Sequence, residues 1–230
     1  MNKFTTLLLD ADNTLLDFDK DEYQALVKAL EHYSVPATKE NTDLYSKINL
    51  GMWKQLERGE ITKPELKRTR FKLFFDAIGF KCSAEPLEVN EYYLGRLGEG
   101  GNTLEGAVET VRALKEKGID LYIVTNGVAQ TQAKRLKKSG LSEYITEVFV
   151  SETIGYQKPC KEYFDYVLEK IPEKDKNKIL LVGDSLTSDI RGAMNAELLS
   201  CWLNPLGKKM PEEYKSDYTI GKIAELLDIV

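Results

Sequence analysis

Several shortages in this chain each remove a class of explanation. Three cysteines, Cys82, Cys160 and Cys201, are scattered over 230 residues with no Cys-x-x-Cys spacing, which argues against a disulfide framework or a zinc site and fits reduced, mostly buried thiols. Basic residues are not in excess. The formal charge is −5 and the pI near 5.2, so no basic face for a nucleic-acid polymer or a membrane surface is expected, and an anionic ligand would need locally placed positive charge. Long apolar runs are missing too. The first run stops at Asp10, so neither a signal peptide nor a membrane span is expected, and the expected location is cytoplasmic. Histidine occurs once, as His32, near the end of a helical pattern, where a helix-end or surface residue is a better reading than a catalyst. There is no internal repeat and no low-complexity segment.

What the chain does have is Leu7-Leu8-Leu9-Asp10-Ala11-Asp12-Asn13-Thr14-Leu15, an apolar run that ends in two carboxylates. It has the pattern of a buried strand leaving an α/β sheet at its carboxyl end, where such folds hold ligands. With a side-chain period of two, Asp10 and Asp12 point the same way. Two like charges at the floor of a crevice need a proton or a cation between them, and Mg²⁺ suits carboxylate oxygens. Alone, the stretch reads better as a surface turn. Three later runs, ending in Thr125-Asn126-Gly127, Val150-Ser151-Glu152 and Gly183-Asp184-Ser185, place polar groups at one edge of one sheet and favour the strand.

After Asp12 the pattern turns helical and stays so. Asp19 with Glu22 has the form of a capping box, Thr38 can start a second helix, Thr62-Lys63-Pro64-Glu65 is a second capping box, and Ser83 can cap a fourth helix. Trp53, Tyr92 and Tyr93 are expected in the core of this insertion. The glycines at 98–101 mark the return, after which helices alternate with strands at Leu121–Val124, 146–150, Ile179–Val182 and Leu199–Leu203, and Ile223–Leu227 forms a terminal helix. Within this half, Lys134–Lys138 is expected as an exposed helix face. The architecture implied is α/β, a doubly wound Rossmann-like parallel sheet in 1–16 and 98–230, with a helical cap inserted at 17–97.

Taken in order, Asp10-Ala11-Asp12-Asn13-Thr14-Leu15, Val124-Thr125-Asn126-Gly127, Gln157-Lys158-Pro159 and Gly183-Asp184-Ser185 with Asp189-Ile190 resemble the four motifs of the haloacid dehalogenase-like hydrolases. The chain departs from the usual pattern at Asn13 and at Glu197, where the family tends to have glycine. Each residue type suits phosphoryl transfer through an aspartyl intermediate. The resemblance implies Asp10 as nucleophile and Asp12 as general acid and base. It further implies Mg²⁺ held by Asp10, the backbone carbonyl of Asp12, Asp184 and, directly or from behind, Asp189, with Thr125, Asn126 and Lys158 binding the phosphoryl group. Dehalogenases of this superfamily lack the second aspartate, so Asp12 favours phosphate chemistry. A phosphomutase, a sugar phosphatase or a non-catalytic metal-binding domain stays open.

Ile48-Asn49-Leu50-Gly51-Met52-Trp53, Gly59-Glu60-Ile61-Thr62 and Ser200-Cys201-Trp202-Leu203-Asn204 are similar to a branch of bacterial nucleotidases that act on noncanonical pyrimidine nucleotides. That resemblance implies a small phosphorylated substrate, a nucleoside monophosphate. Asn49 and Trp53, four apart, share a helix face and could offer an amide beside an aromatic plane for a base. Equally, Trp53 could simply pack inside the cap.

Overall fold

A computed structural model describes residues 3–230. By its internal contacts the chain divides into two compact units, one ending at Phe18 and resuming at Gly101, the other running Asp19–Gly100. Among the described residues no helix is long and apolar enough to cross a membrane.

The first unit is a six-stranded parallel sheet, β1 (Thr6–Leu9), β2 (Asp120–Thr125), β3 (Glu147–Val150), β4 (Ile179–Gly183), β5 (Leu199–Leu203) and β6 (Tyr218–Ile220), in the order β3-β2-β1-β4-β5-β6. β1 is flanked by β2 on one side and β4 on the other, so Leu8 lies between Tyr122 and Leu181. Because successive residues face opposite ways, the strands supply two cores. Leu7, Leu9, Leu121, Ile123, Leu180 and Val182 pack on one face, while Leu8, Tyr122, Val124, Ile179 and Leu181 pack on the other. Strands buried on both faces read as continuous apolar runs, which is why Leu7-Leu8-Leu9 shows no alternation.

Among the described residues, ten α-helices serve the two units. Those of the insertion are α1 (Phe18–His32), which starts on the last residue of the first unit, α2 (Lys39–Glu57), α3 (Lys63–Ile78) and α4 (Pro86–Leu97). Those of the sheet unit are α5 (Ala107–Glu116), α6 (Ala129–Lys138), α7 (Ser151–Ile154), α8 (Lys161–Lys170), α9 (Arg191–Ala196) and α10 (Leu226–Ile229). Val111 and Leu114 of α5 and Leu136 of α6 close the first core. Tyr163, Phe164 and Val167 of α8, with Ala193 of α9, close the second. The strand order reverses at β1, which makes the carboxyl ends of β1 and its neighbours the position where open α/β sheets hold ligands.

In the insertion, Thr38 caps α2 by accepting from Asn41 N–H at 3.2 Å, and Thr62 with Glu65 forms the full box at the start of α3. Two expected caps are absent. α4 begins beyond Ser83, at Pro86, with no side-chain cap. α1 is already under way at Asp19, and Glu22 turns instead into the helix bundle, accepting from Ser46 Oγ and Asn49 Nδ2 at 2.6 Å each. The bundle core is aromatic, with Tyr45, Phe71, Phe74 and Tyr93 fully buried around the polar group formed by Glu22, Asn49, Arg70 and Asn90. Tyr92 is half-buried and stacks on His32 with ring centres 4.1 Å apart.

Candidate active site

The turn after β1 needs a residue with positive φ directly after Asp12, and Asn13 takes it at 55°. Glu197, the other departure from the family pattern, closes α9 at φ 58°. Both are positions where glycine is the default, and asparagine is among the residues that adopt this geometry most readily. The turn leaves Asp10 buried at the end of β1, its backbone N–H donating to Val182 O at 2.9 Å, and Asp12 partly exposed.

Lys158 comes from the segment between α7 and α8 and is 1% exposed. Its ammonium donates to Asp10 Oδ1 at 2.6 Å, Asp189 Oδ1 at 2.7 Å and Val124 O at 2.8 Å. Those three acceptors match its three protons, so a phosphoryl oxygen must replace one of them. Burial alone would lower the Lys158 pKa, but Asp10 and Asp189 outweigh it and raise it. Burial pushes the Asp10 carboxyl up to about 7 against the pull of Lys158, with Asp189 and Asp12 adding to the rise. Asp184 is raised as well, by burial and then by Asp10 and Asp189.

Asp189 sits in the π-helical turn Leu186–Ile190, and its Oδ2 accepts from Ser185 N–H at 3.1 Å. A Cβ on Gly183 would lie 2.2 Å from Asp189 Cγ, so only glycine at the end of β4 lets the carboxylate lie there. Trp202 of β5 donates from Nε1 to Asp184 O at 2.9 Å and fixes the backbone of that aspartate. Thr125, at the end of β2, is 1% exposed. Asn126, expected to bind substrate, has its amide on the Lys158 backbone, donating to the carbonyl and accepting from the N–H.

Lys134, Lys137 and Lys138 are exposed as expected, but Arg135 corrects that reading. It is fully buried and ion-paired to Asp12. Gln132, one turn earlier, donates from Nε2 to Asp12 Oδ2 at 2.8 Å. The buried stripe of α6 is Thr131, Gln132, Arg135 and Leu136. Its polar members face the polar end of the sheet, where an apolar stripe would leave Asp12 without partners. The signal available in sequence was the spacing of three between Gln132 and Arg135, on the same face as Leu136.

Asn49 and Trp53 belong to the helical unit. Asn49 is 2% exposed and donates to Glu22 while accepting from Arg70 Nη1 at 3.1 Å, so the amide offered for a base is engaged within the unit. Trp53 is half-buried and packs against Met52, Leu56 and Leu66.

The model of the haloacid dehalogenase-like hydrolases matches residues 4–197. The chain belongs to that family. Across its full length it is 41% identical to the HAD-hydrolase YfnB of Bacillus subtilis, covering 97% of that protein. The crystal structure of YfnB with magnesium bound superposes with a TM-score of 0.93 over 99% of both chains. It is also 37% identical to the pyrimidine 5′-nucleotidase PynA of Streptococcus pneumoniae, over 96% of this chain and 93% of that one. With the pyrimidine 5′-nucleotidase YjjG of Escherichia coli it shares 34% identity, over 97% and 96%. The chain is thus a hydrolase of this family, of the phosphoric monoester class.

The family is generally magnesium-dependent, and the donor set here fits that ion. Asp10, Asp184 and Asp189 each offer a carboxylate oxygen, all within 4.8 Å of one another. Oxygen ligands at about 2.1 Å from an octahedral ion lie roughly 4.2 Å apart when opposite. Burial first, and the neighbouring carboxylates after it, hold Asp10 and Asp184 above the usual carboxylate range, and a cation bound among them would offset both effects.

Proposed function

We propose that this protein is a Mg²⁺-dependent phosphomonoesterase working through an aspartyl-phosphate, with pyrimidine nucleoside 5′-monophosphates as its substrates and the cytoplasm as its place of work. The observation that carries the chemistry is the buried contact of Lys158 Nζ with Asp10 Oδ1 at 2.6 Å, beside an Asp12 gripped on both oxygens. In the first step an Asp10 oxygen attacks phosphorus, the ester P–O bond breaks, and Asp12 gives its proton to the departing oxygen. In the second, Asp12 takes a proton from water as the water oxygen attacks phosphorus and the Asp10–phosphate bond breaks. Lys158 and Thr125 hold the equatorial oxygens, whose charge grows in the transition state. Bound by Asp10, the Asp12 carbonyl and Asp184, magnesium would supply the charge neutralisation that lets an anionic nucleophile meet an anionic phosphate. We assign the choice of leaving group to the helical insertion, since the sheet-end groups recognise only phosphate and metal.

The pyrimidine preference is supported by the likeness to PynA and YjjG over nearly the whole chain. A phosphate-release screen over pyrimidine and purine nucleotides, sugar phosphates and phosphonates, with Mg²⁺ and with chelator, tests it. Fastest release from the pyrimidine nucleotides, abolished by chelator, is expected. Faster release from a sugar phosphate overturns the substrate, and release that survives chelation overturns the metal.

A further inference from the structure

We infer that Gln132 and Arg135 are positioning residues that lock the Asp12 carboxylate and turn the Thr125 hydroxyl toward the same phosphoryl group. The inference rests on the phosphomonoesterase reading and adds to it a device that couples the acid/base to the phosphate-binding hydroxyl.

The hydrogen bonds leave little freedom. Arg135 Nη1 donates to Gln132 Oε1 at 3.0 Å as well as to Asp12 Oδ1. An arginine can only donate, so the Gln132 carbonyl must face it and the Gln132 amide nitrogen must face the other way. That nitrogen meets Asp12 Oδ2 at 2.8 Å and Thr125 Oγ1 at 2.9 Å. Thr125 Oγ1 also accepts from Gly127 N–H at 3.0 Å. With both lone pairs taken, the threonine hydroxyl has only its proton to offer, and it is fixed as a donor. A carboxyl group has positions for hydrogen bonds beyond those that Gln132 and Arg135 take, so the grip on Asp12 orients it without using it up, and 29% of its side chain stays exposed.

Two further features show that the arrangement is built. Gln132 and Arg135 are 1% and 0% exposed, and the guanidinium lies 5.6 Å from the centre of the Phe18 ring. Gly127 exists where a Cβ would come within 2.6 Å of Gln132 Cγ and 2.7 Å of its Nε2. Glycine after Thr125-Asn126 is therefore what lets the glutamine lie across the end of β2 and reach both partners.

The test uses Gln132→Met, Gln132→Glu, Gly127→Ala and the double variant Gly127→Ala with Gln132→Met. Each is assayed on a nucleoside 5′-monophosphate, whose alkoxide leaving group needs a proton, and on p-nitrophenyl phosphate, whose leaving group does not. Gln132→Met should lower kcat on the nucleotide ~10- to 100-fold, less than the roughly 10²–10⁴-fold that general acid catalysis supplies in full, and lower it clearly less on the aryl ester. The inhibition constant for inorganic phosphate should rise for the same variant as Thr125 loses its orientation. Gln132→Glu should be worse than Gln132→Met on both esters, because a second carboxylate then faces Asp12. Gly127→Ala should mimic Gln132→Met by displacing the glutamine, and the double variant should be no worse than Gln132→Met. If Gln132→Met does not fold, Gly127→Ala carries the comparison. Equal losses on the two esters, or a Gln132→Glu enzyme as active as wild type, overturn the inference. Wild-type protein that cleaves neither ester instead overturns the phosphomonoesterase reading on which it stands.

Discussion

Asn126 holds Lys158 by its backbone, donating from Nδ2 to the lysine carbonyl at 2.8 Å and accepting from the lysine N–H at 2.9 Å. This side chain joins the end of β2 to the segment before α8, alongside the Lys158 ammonium on Val124 O. Asn126→Ala should cost about 1–3 kcal/mol of stability for two half-buried hydrogen bonds and raise the inhibition constant for inorganic phosphate as Lys158 loses its aim. Asn126→Asp, which keeps one acceptor but loses the donor, should fall between. Thermal melts and phosphate inhibition measure both. A melt lowered with phosphate binding unchanged would show a purely structural clamp.

Asp10→Asn should remove turnover, roughly 10³-fold or more, and leave the fold intact, because an amide is no anionic nucleophile. Asp12→Asn should hurt alkyl phosphates more than aryl phosphates, since a good leaving group needs little protonation. Initial rates on both esters decide it, and wild-type rates in Asp10→Asn would sink the mechanism.

Metal and phosphate can be separated by titration. Asp184→Ala should weaken Mg²⁺ binding more than Lys158→Ala does, and Lys158→Ala should weaken a phosphate mimic more. Calorimetry on each variant reports the two affinities, and the same defect in both would mean that the roles are misassigned.

Glu22 gives the insertion a pH dependence. Burial holds its carboxyl above the ordinary 4.5, against the hydrogen bonds from Ser46 and Asn49 and the charge of Arg70. Between 4.5 and the raised value the folded state binds more protons than the unfolded one, so stability falls as pH rises through that window and levels off above it. Glu22→Gln, which can still accept from Asn49 and donate to Ser46, should flatten the decline. Hydrogen exchange in the insertion from pH 4 to 7 measures it, and an unchanged slope would place the proton elsewhere.

Asn49→Ala removes an acceptor from buried Arg70 and a donor from buried Glu22, so it should destabilise the insertion by about 1–3 kcal/mol. Trp53→Ala, at a half-buried site, should cost less. If either residue reads the base, its loss also narrows the ratio of nucleotide to aryl phosphate turnover, a quantity that stability alone leaves in place.

The sheet was legible because parallel strands buried on both faces announce themselves as apolar runs, as in Leu7-Leu8-Leu9 and Ile179-Leu180-Leu181-Val182. Caps such as Thr62 with Glu65 were legible because their chemistry is local. β6 was not foreseen, since Tyr218-Thr219-Ile220 is too short to show a period and only Ile220 is buried. Arg135 was missed for a different reason. A guanidinium set among Lys134, Lys137 and Lys138 looks like solvated charge, and its partner Asp12 lies 123 residues away. Glu22 misled in the same way, since its spacing from Asp19 imitates a cap while its partners sit on another helix.

The central place of β1 bears on how the chain assembles itself. Both neighbours of the first strand come late, from 120–125 and from 179–183. A nascent chain that has grown only as far as Gly100 holds the whole helical unit, which can settle on contacts close in sequence, and neither of those partners. Until they arrive, Thr6–Leu9 has two open edges, the kind of surface that recruits wrong partners. The end of the sheet that carries Asp10 is therefore among the last parts to be completed, when Ile179–Gly183 takes its place beside the first strand.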